Sequence, residues 1–292
     1  MIIGTLTGSG TLGLLIPPSI MMIVYGIVSQ TSIARLFLAG VLPGLLLMGL
    51  FMGYIIVWSL FNPGGAPKDE VDEVHWADVG RIVPPILLVI AVIGSIYGGW
   101  ATPTESAVIG VVGAVVLAAT GGGLSWNMLA RALTGTVKTS TLILLIIAGA
   151  SVLTTALDFS NIPKYAAEAV VAMNLNQYQL LAALTVLYLI LGCFLEGVSM
   201  IVLTASIVLP MTQAVGIDPV WLGIYLVVMV ELAQITPPVG FNLFILQALT
   251  GRDLMTVARA SIPFFCLLIG AIGLLAMFPE IVLYLPKTMI GR

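Results

Sequence analysis

The sequence predicts an all-α polytopic membrane protein, and two observations carry that prediction. Hydrophobic residues make up 60% of the 292 and charged residues only 8%, with a mean hydropathy of +1.17. A soluble domain keeps roughly 25% charged residues in contact with water, so this chain cannot present an ordinary aqueous surface. The second observation is a series of uncharged apolar runs at 36–60, 82–104, 106–130, 139–157, 178–195, 232–251 and 260–279. Each reaches the length of about 17–25 residues that a helix needs to cross a hydrocarbon core about 30 Å thick. In lipid every backbone polar group must be satisfied internally, which selects helices. The alternating pattern of a membrane β-barrel is absent.

Composition also excludes function classes. The net charge of −3 leaves no basic patch to neutralise phosphates, so no nucleic-acid partner is expected. Cys193 and Cys266 are the only cysteines and both lie in apolar runs, as small packing residues do. His75 is the only histidine and sits in a charged loop, which leaves no HExxH, no histidine ligand cluster and no catalytic triad. The chain is therefore not expected to be an enzyme. Its opening MIIGTLTGSGTLG has no basic residues ahead of the apolar stretch, so no cleavable signal peptide is expected there.

Charge is concentrated in one place. Seven of the 23 charged residues (Lys68, Asp69, Glu70, Asp72, Glu73, Asp78 and Arg81) fall in one short segment. Residues 61–81 therefore read as an aqueous linker between two groups of helices. Smaller polar breaks are expected near 121–138, 158–177, 214–219 and 250–259.

An internal repeat divides the chain. Pro17-Pro18 follows an apolar stretch in GTLGLLIPPSI, and Pro237-Pro238 follows one in ELAQITPPVGF, at an offset of 220. Pro43 and Pro263 repeat that offset, each after a short amphipathic stretch with an arginine and at the start of a long apolar helix. Paired Gly/Pro-interrupted apolar segments are the best sequence pointer to the binding site of a secondary transporter. A proline inside a helix removes a hydrogen bond and clashes with the preceding turn, and glycine lets the chain open. The carbonyls so freed are tolerable in a membrane only where they face protein, water or a cation. The bland alternative is a proline kink that aids packing.

Three carboxylates lie within or beside apolar runs, where charge is costly and usually functional. Glu196 sits in LGCFLEGVSMIVLTASIVLP between stretches that are short for full crossings. This fits a re-entrant hairpin with a polar tip, or an interfacial loop joining two tilted helices. Glu105, in WATPTE, has the position of a helix-capping residue. Glu231 precedes the second break, placed to orient its backbone or to bond a neighbouring helix. GSGTLG at 8–13 fits the dinucleotide pattern, but it leads into a Pro-Pro run and the next acid is Asp69, so the nucleotide interpretation fails. Gly49-x-x-x-Gly53 reads as a packing face.

With these residues in view, SGTLGLLIPPSI, WATPTESAVIG, FLEGVSMIVLTASIVLP, GIDPVWLGI and ELAQITPPVGFNLF together resemble the large permease subunit of TRAP transporters. These are tripartite, binding-protein-dependent secondary transporters of bacteria and archaea. The resemblance runs along essentially the whole chain, in the family's order. It implies an inverted-repeat, ion-transporter-like elevator fold in the cytoplasmic (inner) membrane, in which a transport domain of re-entrant hairpins and broken helices slides against a scaffold. The implied partners are a small TRAP permease subunit, a periplasmic solute-binding protein and membrane lipid. The implied cargo is a small organic acid such as a C4-dicarboxylate or sialic acid. No cofactor is implied beyond sodium as coupling ion.

Carried over by position, the resemblance makes 1–60 the end of a first repeat, with a broken helix over 5–30 and a following helix over 36–60. Residues 82–292 become the second repeat: scaffold helices 82–157, a hairpin about 178–214, a broken helix 219–250 and a last helix 260–286. The implied binding residues are Ser9, Gly10, Thr11, Gly13, Pro17, Pro18 and Ser19 at the first break and Glu196, Gly197 and Ser199 at the hairpin tip. Thr236, Pro237, Pro238, Gly240 and Asn242 complete them at the second break. Of these, Gly10, Gly13, Gly197, Ser199, Thr236 and Gly240 are the expected sodium contacts, since hard cations take oxygen ligands. The family's first hairpin should precede the first break, yet Met1 lies just ahead of it. The chain is thus expected to be an N-terminally incomplete permease, its C-terminal two-thirds, unable to transport alone. A channel-like or non-transporting membrane scaffold subunit is the alternative. Placing 61–81, 121–138 and 251–259 on one side gives a thin positive-inside bias there.

Overall fold

The computed structural model describes residues 1–62, 76–238 and 240–289, and among them all regular structure is helical. The first break is built by local rules. Helix α1 (Ile2–Thr11) tightens into a 3-10 turn over Leu12–Leu14 and stops before Pro17-Pro18, which have no amide protons to donate. Ser19 then caps α2 (Ile20–Val28): its oxygen accepts from the Met22 amide, and its hydroxyl donates back to the Leu14 carbonyl. Ser32 caps α3 (Ile33–Phe61), which carries Pro43.

Helices α4 (Trp76–Tyr97) and α5 (Pro103–Thr120) follow, then α6 (Trp126–Phe159). Thr102 and Glu105 form a reciprocal capping box at the start of α5, the role the sequence indicated for Glu105. Helix α7 (Ile162–Ala172) leads to α8 (Gln177–Gly192), which opens on a second capping box made by Asn176 and Gln179. Then come α9 (Gly197–Ala214), α10 (Pro219–Gln234), α11 (Phe241–Thr250), α12 (Leu254–Met277) and α13 (Glu280–Met289). Five of these, α3, α5, α6, α9 and α12, are long and apolar enough to cross a membrane. The protein is an all-α polytopic membrane protein.

The helices form two compact units, divided within α6 after Leu145. In one, α4 packs along α5, and Ser95 and Ser106 share a 2.8 Å hydrogen bond between them. The other unit holds α1–α3 and α7–α13, with α10 at its centre. Residues 220–233 of α10 are all buried, and α2, α3, α8, α9 and α12 surround it. A helix that is apolar all round belongs in such a position. Aromatic side chains pin its first half. The Trp221 indole donates to the Leu275 carbonyl at 3.2 Å, and the Tyr25 hydroxyl donates to the Pro219 carbonyl at 2.6 Å. Tyr225 stacks on Trp221 and bonds Thr185 at 3.0 Å.

Both repeats share one layout. A helix ends at a Pro-Pro break, a short helix follows, and a capped helix with a proline in its third turn comes next (α1–α2–α3 and α10–α11–α12). Both Pro-Pro peptide bonds are cis. Several expected boundaries shift. The uncharged run 106–130 is not one helix, because three glycines at 121–123, with Gly122 at φ 72°, end α5. The run 82–104 stops at Tyr97, before Gly99 at φ 70°. The polar breaks expected at 121–138 and 250–259 shrink to 121–125 and 251–253, and 158–177 contains α7. The last segment is two helices rather than one: Pro279 disfavours a helical Phe278, which sits at φ −126°, ψ 71°. Residues 63–75 of the expected linker lie outside the described residues, and α4 begins at Trp76.

Candidate functional site

The first break is partly open. Ser9, Gly10, Gly13 and Pro18 are exposed, whereas Thr11, Pro17 and Ser19 are buried. The Thr11 hydroxyl donates to the Gly8 carbonyl at 2.8 Å. No atom lies within 4 Å of where a Cβ on Gly13 would stand.

The second break is tighter. The Thr236 hydroxyl donates to the Leu232 carbonyl at 2.6 Å, and its own carbonyl accepts from the Gly240 amide at 3.0 Å. A Cβ on Gly240 would lie 2.7 Å from the Gln234 carbonyl oxygen and 2.9 Å from that of Thr236. Glycine is required there by space, since its φ is an ordinary −50°. Pro237 and Pro238 are exposed, and Asn242 is half-buried.

The turn joining α8 to α9 reaches both breaks. Its Glu196 carboxylate accepts from the Val198 and Ser199 amides at 3.1 and 3.3 Å and so caps α9. A Cβ on Gly192 would lie 2.3 Å from Ala233 Cβ, and Cys193 Sγ is 3.4 Å from the Pro237 carbonyl oxygen. These two contacts set the end of α8 against the second break. A Cβ on Gly197 would lie 2.4 Å from Val230 Cγ1 and 3.1 Å from Met21 Cε, which seats the start of α9 against α10 and α2. The breaks also meet each other. A Cβ on Gly10 would lie 3.6 Å from Asn242 Nδ2. Glu231 is fully buried, with the Leu15 amide nearby but outside hydrogen-bond geometry.

The chemistry of this junction is that of oxygen and dipoles. Among the described residues no group of three His, Cys, Asp or Glu side chains gathers as a metal site. What the junction offers instead is freed carbonyls, the hydroxyls of Ser199 and Thr236, and helix ends. The C-termini of α1 and α10 carry partial negative charge, and the N-termini of α2, α9 and α11 partial positive charge. Sequence reasoning marked both breaks and the turn at Glu196. It named Glu231 as placed to orient the second break or to bond a neighbouring helix but left it out of the binding residues, and it treated Cys193 as packing only.

Residues 2–281 match the family described as "Tripartite ATP-independent periplasmic transporter, DctM component". The chain belongs to the DctM family. It is 35% identical, over 98% of its own length, to the C4-dicarboxylate TRAP transporter large permease protein DctM of Pseudomonas aeruginosa, covering 67% of that protein. The corresponding DctM of Vibrio cholerae is 32% identical, with 97% and 66% covered. The sialic acid TRAP transporter large permease protein SiaM of Vibrio cholerae is 30% identical, with 99% and 68% covered. The chain thus spans about two thirds of the length of these relatives. As a DctM-family chain it is a multi-pass membrane transport protein, not an enzyme.

Proposed function

We propose that this chain is the large membrane subunit of a sodium-coupled, binding-protein-dependent importer of a small organic acid, a C4-dicarboxylate or sialic acid. It works with a small permease subunit and a periplasmic solute-binding protein in a bacterial or archaeal cytoplasmic membrane. The observation that carries this reading is the meeting of the α8–α9 turn with both Pro-Pro breaks. Carbonyls released from helical bonding inside an apolar bundle need a compensating group. Sodium, a hard cation, supplies it and brings positive charge to where an organic anion would bind.

The same contacts favour α8–α9 as a hairpin with its tip within the membrane over an interfacial loop, because the breaks themselves interrupt apolar segments. Thr236, Ser199 and the carbonyls around Gly240 are the proposed ligands of one sodium ion, and the carbonyls around Gly10, Gly13 and Gly197 those of a second. The unit holding both breaks is the moving element of an elevator, and α4 and α5 belong to its scaffold. In proteoliposomes containing the permease, its small subunit and its binding protein, uptake of the labelled acid is expected to require an inward sodium gradient. Thr236→Val is expected to raise the sodium needed for half-maximal uptake about tenfold, one lost ion ligand being worth about 1.4 kcal/mol. Equal uptake under potassium would refute sodium coupling. An unchanged sodium dependence in Thr236→Val would remove Thr236 from the site.

A further inference from the structure

The two arms of the second break each carry one polar side chain with a buried, unpartnered atom near the backbone of the first. On α10, before the break, Glu231 has 0% exposure, and among the described residues neither carboxylate oxygen has a hydrogen-bond partner. The amide of Leu15 lies near it, and it already donates to the Leu12 carbonyl at 3.1 Å, closing the 3-10 turn at the first break. On α11, after the break, the Asn242 amide nitrogen is buried and also without a partner among those residues. It lies beside Gly10, next to the carbonyl end of α1. The pairing is chemically matched: an acceptor stands near an amide that it can share with the Leu12 carbonyl, and a donor stands at a helix end rich in carbonyls.

Buried polar atoms left open in this way are costly and rare. Two of them on opposite sides of one break, both turned toward the other break, are not accounted for by packing. Glu231 is surrounded by the apolar residues of α10 and its neighbours, which favours a hydrogen-bond acceptor over a fixed charge. Each bond would close with a small shift of one break relative to the other, and ordering a break around an ion produces such a shift.

We propose that Glu231 and Asn242 are positioning residues that couple the two breaks, so that an ion held at one raises the affinity of the other. The proposal rests on the sodium reading above and deepens it. Coupling of this kind is a free energy shared between two sites and reciprocal by necessity. It operates when ordering one site lowers the cost of ordering the second.

The test is a sodium titration of the purified protein, read as thermal stabilisation, with choline replacing sodium at constant ionic strength. The wild type is expected to titrate cooperatively, with a Hill coefficient between about 1 and 2 for two sites. Glu231→Leu and Asn242→Ala are expected to lower it to about 1 and to raise half-saturation roughly tenfold. Glu231→Gln, which keeps an acceptor of the same shape, is expected to retain cooperativity, a rescue that a charge role would not give, while Glu231→Leu, of similar volume but with no acceptor, separates hydrogen bonding from a steric role. If Glu231→Leu fails to fold, Asn242→Ala and Glu231→Gln decide. The proposal is overturned if Asn242→Ala keeps wild-type cooperativity, or if Glu231→Gln loses it. A wild type that responds to sodium without cooperativity overturns the coupling alone. One that shows no response to sodium overturns the sodium reading as well.

Discussion

Gly4→Ala is expected to cost the folded protein about 2 kcal/mol, whereas Gly49→Ala is expected to leave stability unchanged or slightly improved. Both glycines belong to Gly-x-x-x-Gly spacings, Gly4 with Gly8 and Gly49 with Gly53, so the sequence pattern predicts the same behaviour for both. The structure separates them. A Cβ on Gly4 would stand 2.1 Å from the Ala260 carbonyl oxygen, and one on Gly8 only 2.4 Å from Phe264 Cδ1. The first of these contacts is with backbone, so no rotamer change relieves it and α1 must move away from α12. In lipid, helix association depends on such close packing, because the tails are as apolar as the side chains. Separating α1 from α12 also loosens Phe264, which is fully buried edge-on to Phe51 with ring centroids 5.2 Å apart. Around Gly49 and Gly53 a Cβ would meet nothing within 4 Å, and alanine is the better helix former by about 1 kcal/mol. Equilibrium unfolding in mixed detergent measures both. Equal effects of the two substitutions would show that the α1–α12 contact is not a determinant of the fold.

Gly240→Ala is expected to raise the sodium concentration for half-maximal uptake at least tenfold, about 1.4 kcal/mol of lost ion binding. The effect on thermal stability should be smaller. The added methyl would press on the carbonyl oxygens of Gln234 and Thr236, at 2.7 and 2.9 Å, both of them backbone atoms of the second break. They can give way only by turning, which disperses the oxygens proposed to face the ion. Gly270→Ala, where nothing lies within 4 Å of the added Cβ, is the control for a glycine in an apolar helix. A wild-type sodium dependence in Gly240→Ala would exclude these carbonyls from the ion site.

What the sequence discloses here follows from what local chemistry dictates. The helical membrane class follows from composition, because lipid leaves the backbone no other choice. Both breaks were visible because Pro17-Pro18 and Pro237-Pro238 act on their own residues, without help from the rest of the fold. The capping box of Thr102 and Glu105 is equally local. Charge, however, marks helix ends poorly in a membrane, so the end at glycines 121–123 was hidden inside an uncharged run, and the stop at Pro279 went unread although the run 260–279 ends there. Long-range pairing was hidden too. Nothing in MIIGTLTG says that Gly4 meets Ala260, and nothing around Glu231 says that it faces Leu15 rather than its own break. Glu196 shows the opposite limit. As an acid among apolar residues it is conspicuous, yet its carboxylate is engaged in capping α9.

The two breaks and the turn between α8 and α9 are proposed to form one junction that binds two sodium ions. Hydrogen–deuterium exchange, which reports local opening, tests it directly when run in sodium and in potassium at equal ionic strength. Sodium alone is expected to slow exchange together at three places: Leu12–Leu14 with Ser19, residues 193–199, and Thr236 with Gly240 and Asn242. Exchange at the tips of α5 and α6 should be unaffected. Protection confined to one break, or equal protection in potassium, would contradict it.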